Sequence, residues 1–133
     1  MFSQMFNNID FYKLSLDGLS ERRNANLHNI SNSNTPNYKR KTVSFENQLR
    51  DAIDKKGVYM RKTHPNHLGI GRGEFSPITK EDRSGNYRAD GNNVDIDVEN
   101  TDLWKTYYMY SLTTDLIKGE FDKYRTIIQE GGK

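Results

Sequence analysis

The stretch NISNSNTPNYKR, residues Asn29–Arg40, directly follows a helical segment and is too polar to form a core. Asparagine tolerates the left-handed backbone conformation, and Pro36 disfavours the α conformation of Thr35. We therefore predict that the helix ends here and that TPNY forms a turn. In this turn Asn37 takes the conformation that glycine usually supplies, and Tyr38 anchors it. Taken alone, the stretch marks a helix end and indicates no function.

The composition offers little material for an independent core. Of 133 residues, 33% are hydrophobic, and the mean hydropathy is −0.96. This length fits one domain, but the low apolar content predicts that part of the burial comes from partners. The 20 basic and 18 acidic residues are mixed along the chain and leave a net charge of only +2, which argues against a nucleic-acid-binding protein.

The sequence shows no secretory, membrane or thiol signal. Residues 1–14, MFSQMFNNIDFYKL, lack a basic region, a continuous apolar run and a small-residue cleavage site, so we expect no cleaved signal peptide. No apolar run approaches the roughly 18–20 residues of a membrane span. The absence of cysteine excludes disulfides and thiolate metal sites, and it leaves the compartment open.

The C-terminal segment carries a heptad pattern from about Thr101 onward. Eight residues recur at alternating intervals of four and three: Leu103, Tyr107, Tyr110, Thr114, Ile117, Phe121, Tyr124 and Ile128. This spacing predicts a long helix with one apolar seam, which Gly131 and Gly132 end. Further apolar residues outside the seam, Leu112, Leu116 and Ile127, indicate a second contact. We expect Val94, Ile96 and Val98 to form the buried face of an extended segment before the helix.

The N-terminal segment has a similar but weaker seam. Its members are Ile9, Tyr12, Leu16, Leu19, Arg23, Asn26 and Ile30. The polar members of such a seam favour register over stability. The middle of the chain differs, because residues 57–91 hold six of the ten glycines and two of the three prolines. There, SFENQLRDAID (residues 44–54) is predicted to be a short helix and GVYMRKT (residues 57–63) a strand.

These patterns predict a mainly α fold in which the terminal helices pair as a coiled-coil hairpin. Residues 1–35 form an N-terminal helical region, residues 36–100 a turn, a short helix and an irregular, partly extended middle, and residues 101–133 a C-terminal helix. Two interpretations stay open. Either the helices cover only each other, or their seams are left over for neighbouring subunits.

Three motifs in order carry a family resemblance. The first comprises Asn29, Asn32, Asn34, Thr35, Pro36, Asn37 and Tyr38. With THPNHL (residues 63–68) and DGNNVDID (residues 90–97), it resembles the flagellar axial family of rod and hook proteins. Asn37 replaces the usual glycine of that family, and Ser31 and Ser33 replace the usual alanines. The chain is too short for the long β-rich inserts of the larger members, so it is most similar to the small proximal rod proteins.

The resemblance implies a non-enzymatic structural subunit of the flagellar basal-body rod. Such a subunit assembles by helix packing around an axial channel and transmits torque from the membrane ring to the hook. Its implied partners are other copies of itself, other rod proteins, the rod-to-membrane-ring junction protein and the flagellar type III export apparatus. Its implied location is outside the cytoplasmic membrane. Phe2 and Phe6, one helical turn apart, resemble the short element by which early flagellar substrates engage the export gate.

The sequence gives little support to a metal site, an enzyme or a cofactor-binding protein. His64 and His67 could be imagined as metal ligands, but they lack a third ligand nearby, and DGNNVDID fails the calcium-loop spacing. No nucleophile and base, and no phosphate-binding loop, can be assembled, so we expect neither enzyme activity nor a cofactor. The alternative function is a soluble helical-hairpin adaptor that binds a partner helix.

Overall fold

The computed structural model describes the backbone of residues 2–54, 75–85 and 88–131, and the side chains of residues 8–51, 75–85 and 88–131. The elements of this part are α1 (Phe2–Ser31), β1 (Lys41–Ser44), α2 (Glu46–Asp54), β2 (Ile78–Glu81) and α3 (Ile96–Glu130). The predicted fold class is confirmed: the chain is mainly helical, with two long terminal helices and a short middle helix. None of the described helices has the length and apolar content that a membrane span requires.

The two long helices pack chiefly against each other, as the paired seams predicted. On α3, the buried side chains are Glu99, Thr106 and Glu120. They are separated by seven and by fourteen residues, so they lie on one stripe along the helix. Leu103, Thr113, Ile117 and Tyr124 are half-buried beside them. The stripe that faces the interior is therefore more polar than the predicted seam.

A small apolar core joins α1 to the middle of the chain. Leu19, Ala25, Val43 and Phe45 are its buried members, with Leu49 and Phe75 packed against it. The ring of Phe45 lies against Gly18, where a Cβ atom would come within 2.5 Å of the ring, so the position permits glycine alone. The Arg22 guanidinium lies 4.6 Å from the centroid of the same ring, and its Nη2 donates to the Val43 carbonyl at 3.0 Å.

The strands β1 and β2 form an antiparallel pair in which Lys41 lies opposite Glu81 and Ser44 opposite Ile78. Neither strand was predicted, because four polar or mixed residues carry no alternating pattern long enough to detect. The predicted strand GVYMRKT lies outside the described residues. The short helix predicted within residues 44–54 is confirmed as α2. The carboxylate of Glu46, its first residue, accepts from the preceding Phe45 N–H at 3.1 Å.

Helix α3 begins five residues before the predicted Thr101. Asp95 is its N-cap, and its carboxylate accepts from the N–H groups of Asp97 and Val98 at 2.9 and 3.3 Å. The predicted extended segment with a buried face is therefore wrong for Ile96 and Val98, which are helical and about half exposed, while Val94 is buried. The Asp95 carboxylate lies at the positive end of the helix dipole and stabilises a helical start. Ile96 and Val98 are therefore helical, although their alternating pattern predicts an extended segment. The predicted end is confirmed, since Gly131 is the C-cap.

Candidate functional site: a buried polar cluster and an exposed helix face

Asn29 lies in the last turn of α1 and is fully buried. Its Nδ2 donates to the Lys41 carbonyl at 2.8 Å and to Glu99 Oε2 at 3.1 Å. Its Oδ1 accepts from the Lys41 N–H at 2.8 Å and from the Tyr38 hydroxyl at 3.2 Å. The amide thus pairs with both backbone groups of Lys41 and uses its whole hydrogen-bonding capacity. One side chain joins the end of α1 to the start of β1.

Asn92, also fully buried, closes the end of α1. Its Nδ2 lies 3.0, 3.0 and 2.9 Å from the carbonyl oxygens of Asn32, Ser33 and Thr35. These carbonyls belong to the turn that follows α1, and a buried polar group without a hydrogen-bond partner is costly. Asn92 Oδ1 accepts from the Val94 N–H at 2.8 Å. The DGNN segment therefore holds the turn that follows a helix which ended some sixty residues earlier.

Arg40 and Asn93 connect the start of α3 with the segments beside β1 and β2. Asn93 Oδ1 accepts from the Arg40 N–H, and Asn93 Nδ2 donates to the Asp82 carbonyl, both at 2.7 Å. The Arg40 guanidinium pairs with the fully buried Glu99 and with Asp102, the latter at 2.9 Å. Burial opposes the charge of Arg40, but hydrogen bonds and the nearby carboxylates outweigh burial and raise its pKa. A buried carboxylate is tolerated here because it is paired and hydrogen-bonded.

The TPNY turn contacts the other side of the DGNN segment. Asn37 has a φ of 60°, and the Tyr38 N–H donates to the Thr35 carbonyl at 3.3 Å, as the predicted turn requires. The Asn37 N–H donates to the Asp90 carbonyl at 2.9 Å. Gly91 has a φ of +79°, and a Cβ atom there would lie 2.6 Å from Asn37 Oδ1. Burial, followed by the charges of Glu99 and Glu81, raises the pKa of Tyr38.

The structure thus assembles two of the three motifs into one site. We call Asn29, Arg40, Asn92, Asn93 and Glu99 the polar cluster. Two further asparagines of the first motif support the turn: Asn32 Nδ2 donates to the His28 carbonyl at 2.8 Å, and Asn34 accepts from Arg88 at 3.3 Å. Thr35 and Pro36 are exposed. The sequence identified Asn92 and Asn93 only as part of the DGNNVDID motif, and neither their contacts nor those of Glu99 were predicted.

The predicted subunit-packing residues fall into two groups in the single chain. Leu19 is buried, and Leu16, Ile30, Leu103, Ile117 and Tyr124 are half-buried. The others are exposed: Tyr110 by 39%, Phe121 by 55%, Tyr107 by 61% and Ile128 by 74%. Thr106 and Glu120 are buried instead, each one residue before an aromatic residue of the predicted seam. Pairing of α1 with α3 therefore leaves the aromatic positions uncovered.

The uncovered apolar surface extends around most of α3. We call its exposed large apolar residues the outer face: Trp104, Tyr107, Tyr108, Met109, Tyr110, Leu112, Leu116, Phe121, Ile127 and Ile128. Such a surface on one helix is typical of protein interaction sites. Among the described residues, no group of His, Asp or Glu is arranged to hold a metal ion. His64 and His67 and the side chains of Phe2 and Phe6 lie outside the described residues.

Comparison with known proteins identifies the family. No protein-family model matches the chain. The flagellar basal body rod protein FlgB of Borreliella burgdorferi is 33% identical over 128 residues, covering 91% of this chain and 95% of the relative. FlgB of Bacillus subtilis is 34% identical over 108 residues, 80% of each chain, and FlgB of Buchnera aphidicola is 27% identical over 132 residues, covering 97% and 99%. The chain belongs to the FlgB family of flagellar basal body rod proteins.

Proposed function

We propose that this rod subunit assembles by packing α1 and α3 against neighbouring subunits around an axial channel, and that the packed helices transmit torque from the membrane ring to the hook. The observation that supports this proposal is the outer face of α3, which the described part of the chain leaves exposed. Burying one large apolar side chain contributes roughly 1.5–3 kcal/mol. Covering several of them at each contact supplies the free energy of assembly that a small core lacks.

The polar cluster has a separate role in this proposal. Its hydrogen bonds join the end of α1, the first strand and the start of α3, and they fix how far α3 is rotated about its own axis. A fixed rotation presents the same side chains to every neighbour, which repeated contacts in an assembly require. The cluster thus sets the geometry, and the outer face supplies the apolar burial.

We further propose partners and a route to the rod. The partners are other copies of the chain, other rod proteins and the rod-to-membrane-ring junction protein, and the chain leaves the cytoplasm through the flagellar type III export apparatus without a cleaved signal. Membership in a family of structural rod proteins supports this, and it also argues against an enzyme.

Phe2 and Phe6 are the candidate export element. Replacing both by alanine is expected to retain the chain inside the cell, whereas secretion of the double variant would exclude that role.

The decisive experiment examines basal bodies. An epitope-tagged chain that restores motility to a disrupted strain is expected in purified basal bodies, and the disrupted strain is expected to form membrane rings without a rod. Rods that form without the chain would contradict the proposal. A tagged chain found only in a soluble complex with a helical protein would favour the alternative function, a helical-hairpin adaptor.

A further inference from the structure

Two buried N–H donors on one side of α1 have no acceptor among the described residues. They are Nε of Arg23 and Nδ2 of Asn26. Asn26 is only 5% exposed, and it follows Arg23 by three residues, so the two lie on the same side of the helix. Both unpaired groups are donors. A hydrogen-bond acceptor from another molecule would therefore satisfy these donors.

Arg23 lines a small notch between α1 and α3. The notch has a volume of about 100 Å³ and is lined by Leu19, Arg23, Thr106, Tyr107 and Tyr110. Tyr107 is 61% exposed, so the notch is open at its rim. Within the described part of the chain, Arg23 forms no ion pair. A guanidinium held between apolar and aromatic groups offers a planar set of donors that a carboxylate matches.

The opposite flank of α1 carries the complementary charge. Asp17 and Glu21 are exposed, and no described residue forms an ion pair with either of them. They line a wider cleft of about 430 Å³ together with Leu14, Ser20, Phe75 and Pro77. Glu21 and Arg23 are two residues apart, which in an α-helix means about 200° around the axis and about 3 Å along it. They therefore point to opposite sides of the helix at nearly the same height.

We propose that Arg23 in this notch binds the Glu21 carboxylate of a second copy of the chain. The inference rests on the proposed function and specifies one of its contacts. Copies placed side by side around an axis, in the same orientation and at a similar height, turn the Glu21 side of one toward the Arg23 side of the next. Such a contact is heterologous, the type that generates rings and helical assemblies. Tyr107 and Tyr110 shield the ion pair from water, which strengthens it.

The test is a charge exchange in the full-length tagged chain, with its amount in purified basal bodies as the measurement. We expect Arg23→Glu alone and Glu21→Arg alone each to lower that amount at least tenfold. The double variant, which rebuilds the pair with reversed charges between copies, is expected to recover to within about threefold of the unsubstituted chain. Arg50→Glu, at an exposed position of α2, is the matched control and is expected to leave the amount unchanged.

The rescue separates an intermolecular contact from a folding defect. Glu21 and Arg23 cannot meet within one chain, so the second substitution has no means of repairing misfolding caused by the first. Failure of the double variant to recover, or normal assembly of either single variant, would overturn the proposal. A defect for Arg23→Glu only would place the carboxylate on another rod protein and reject the second copy as the partner. Absence of the unsubstituted tagged chain from basal bodies would instead reject the proposed function.

Discussion

A single amide, that of Asn29, connects three parts of the molecule. Four hydrogen bonds join it to the backbone of Lys41, the Tyr38 hydroxyl and the Glu99 carboxylate. No other residue type supplies two donors and two acceptors in so small a volume at a helix end. Asparagine in such a segment can be identified from sequence as a helix stop. Its partners cannot, because they lie up to seventy residues away and only the folded chain brings them to it.

Removal of the Asn29 amide is expected to destabilise the fold. In Asn29→Ala, the Lys41 backbone groups and the Glu99 carboxylate lose a partner in a buried site, and each buried polar group left unpaired costs roughly 1–3 kcal/mol. We expect a clear fall in the urea midpoint of the helical circular dichroism signal at high protein concentration. Asn24→Ala, at an exposed position of the same helix, is the control. Equal midpoints for the two variants would show that the cluster does not stabilise the fold.

Substitutions of Asn37 test whether the turn requires a left-handed backbone conformation. Its φ of 60° is accessible to glycine and asparagine and disfavoured for a β-branched residue by roughly 1–2 kcal/mol. We therefore expect Asn37→Gly to leave motility unchanged and Asn37→Val to reduce it, as measured by the halo diameter of complemented strains. If valine and glycine behaved alike, the left-handed turn would not matter for function.

At the scale of elements, periodicity was sufficient to predict both long helices but not the rotation of α3. The predicted seam contains the half-buried Leu103, Ile117 and Tyr124. Its members Tyr107, Tyr110 and Phe121 are exposed. Hydropathy favours Tyr107 and Phe121 for burial, whereas the structure buries Thr106 and Glu120. The reason is Glu99, whose contacts with Asn29 and Arg40 turn that residue toward α1. Every seventh residue after it then faces the same way.

This rotation separates the stability of the chain from its assembly. Phe121 is 55% exposed, so Phe121→Glu is expected to leave the fold of the single chain nearly unchanged. In the rod the same substitution would place an unpaired charge in an apolar contact, at a cost of several kcal/mol. We expect non-motile cells that still secrete the variant, detected by fractionation with an antibody. Gln129→Glu adds the same charge at an exposed polar position and is the control; motile Phe121→Glu cells would refute assembly through the outer face.

At the scale of the whole molecule, the helices are long for the small number of apolar side chains that the chain buries. Helices of 30 and 35 residues are supported by a core of Leu19, Ala25, Val43 and Phe45. The remaining contacts between α1 and the start of α3 are polar, and they fix geometry more than they add stability. The low mean hydropathy agrees with this small core, and the sharing of burial with neighbours stays a prediction. Which apolar residues are exposed in the single chain follows from the rotation of α3 and could not be read from the hydropathy.

The last prediction concerns the purified chain. Ordering each residue costs roughly 1–2 kcal/mol in backbone entropy, and helices that lack a partner surface do not offset this cost. We expect weak helicity and protease-sensitive ends at low concentration, with helicity rising as concentration increases and copies cover each other's outer faces. Circular dichroism over a dilution series, with limited proteolysis, measures both. The Phe121→Glu variant should have the same helicity as the unsubstituted chain when dilute. Its helicity should not rise as the concentration increases. A cooperative, protease-resistant monomer whose helicity is independent of concentration would show that α1 and α3 need no neighbour.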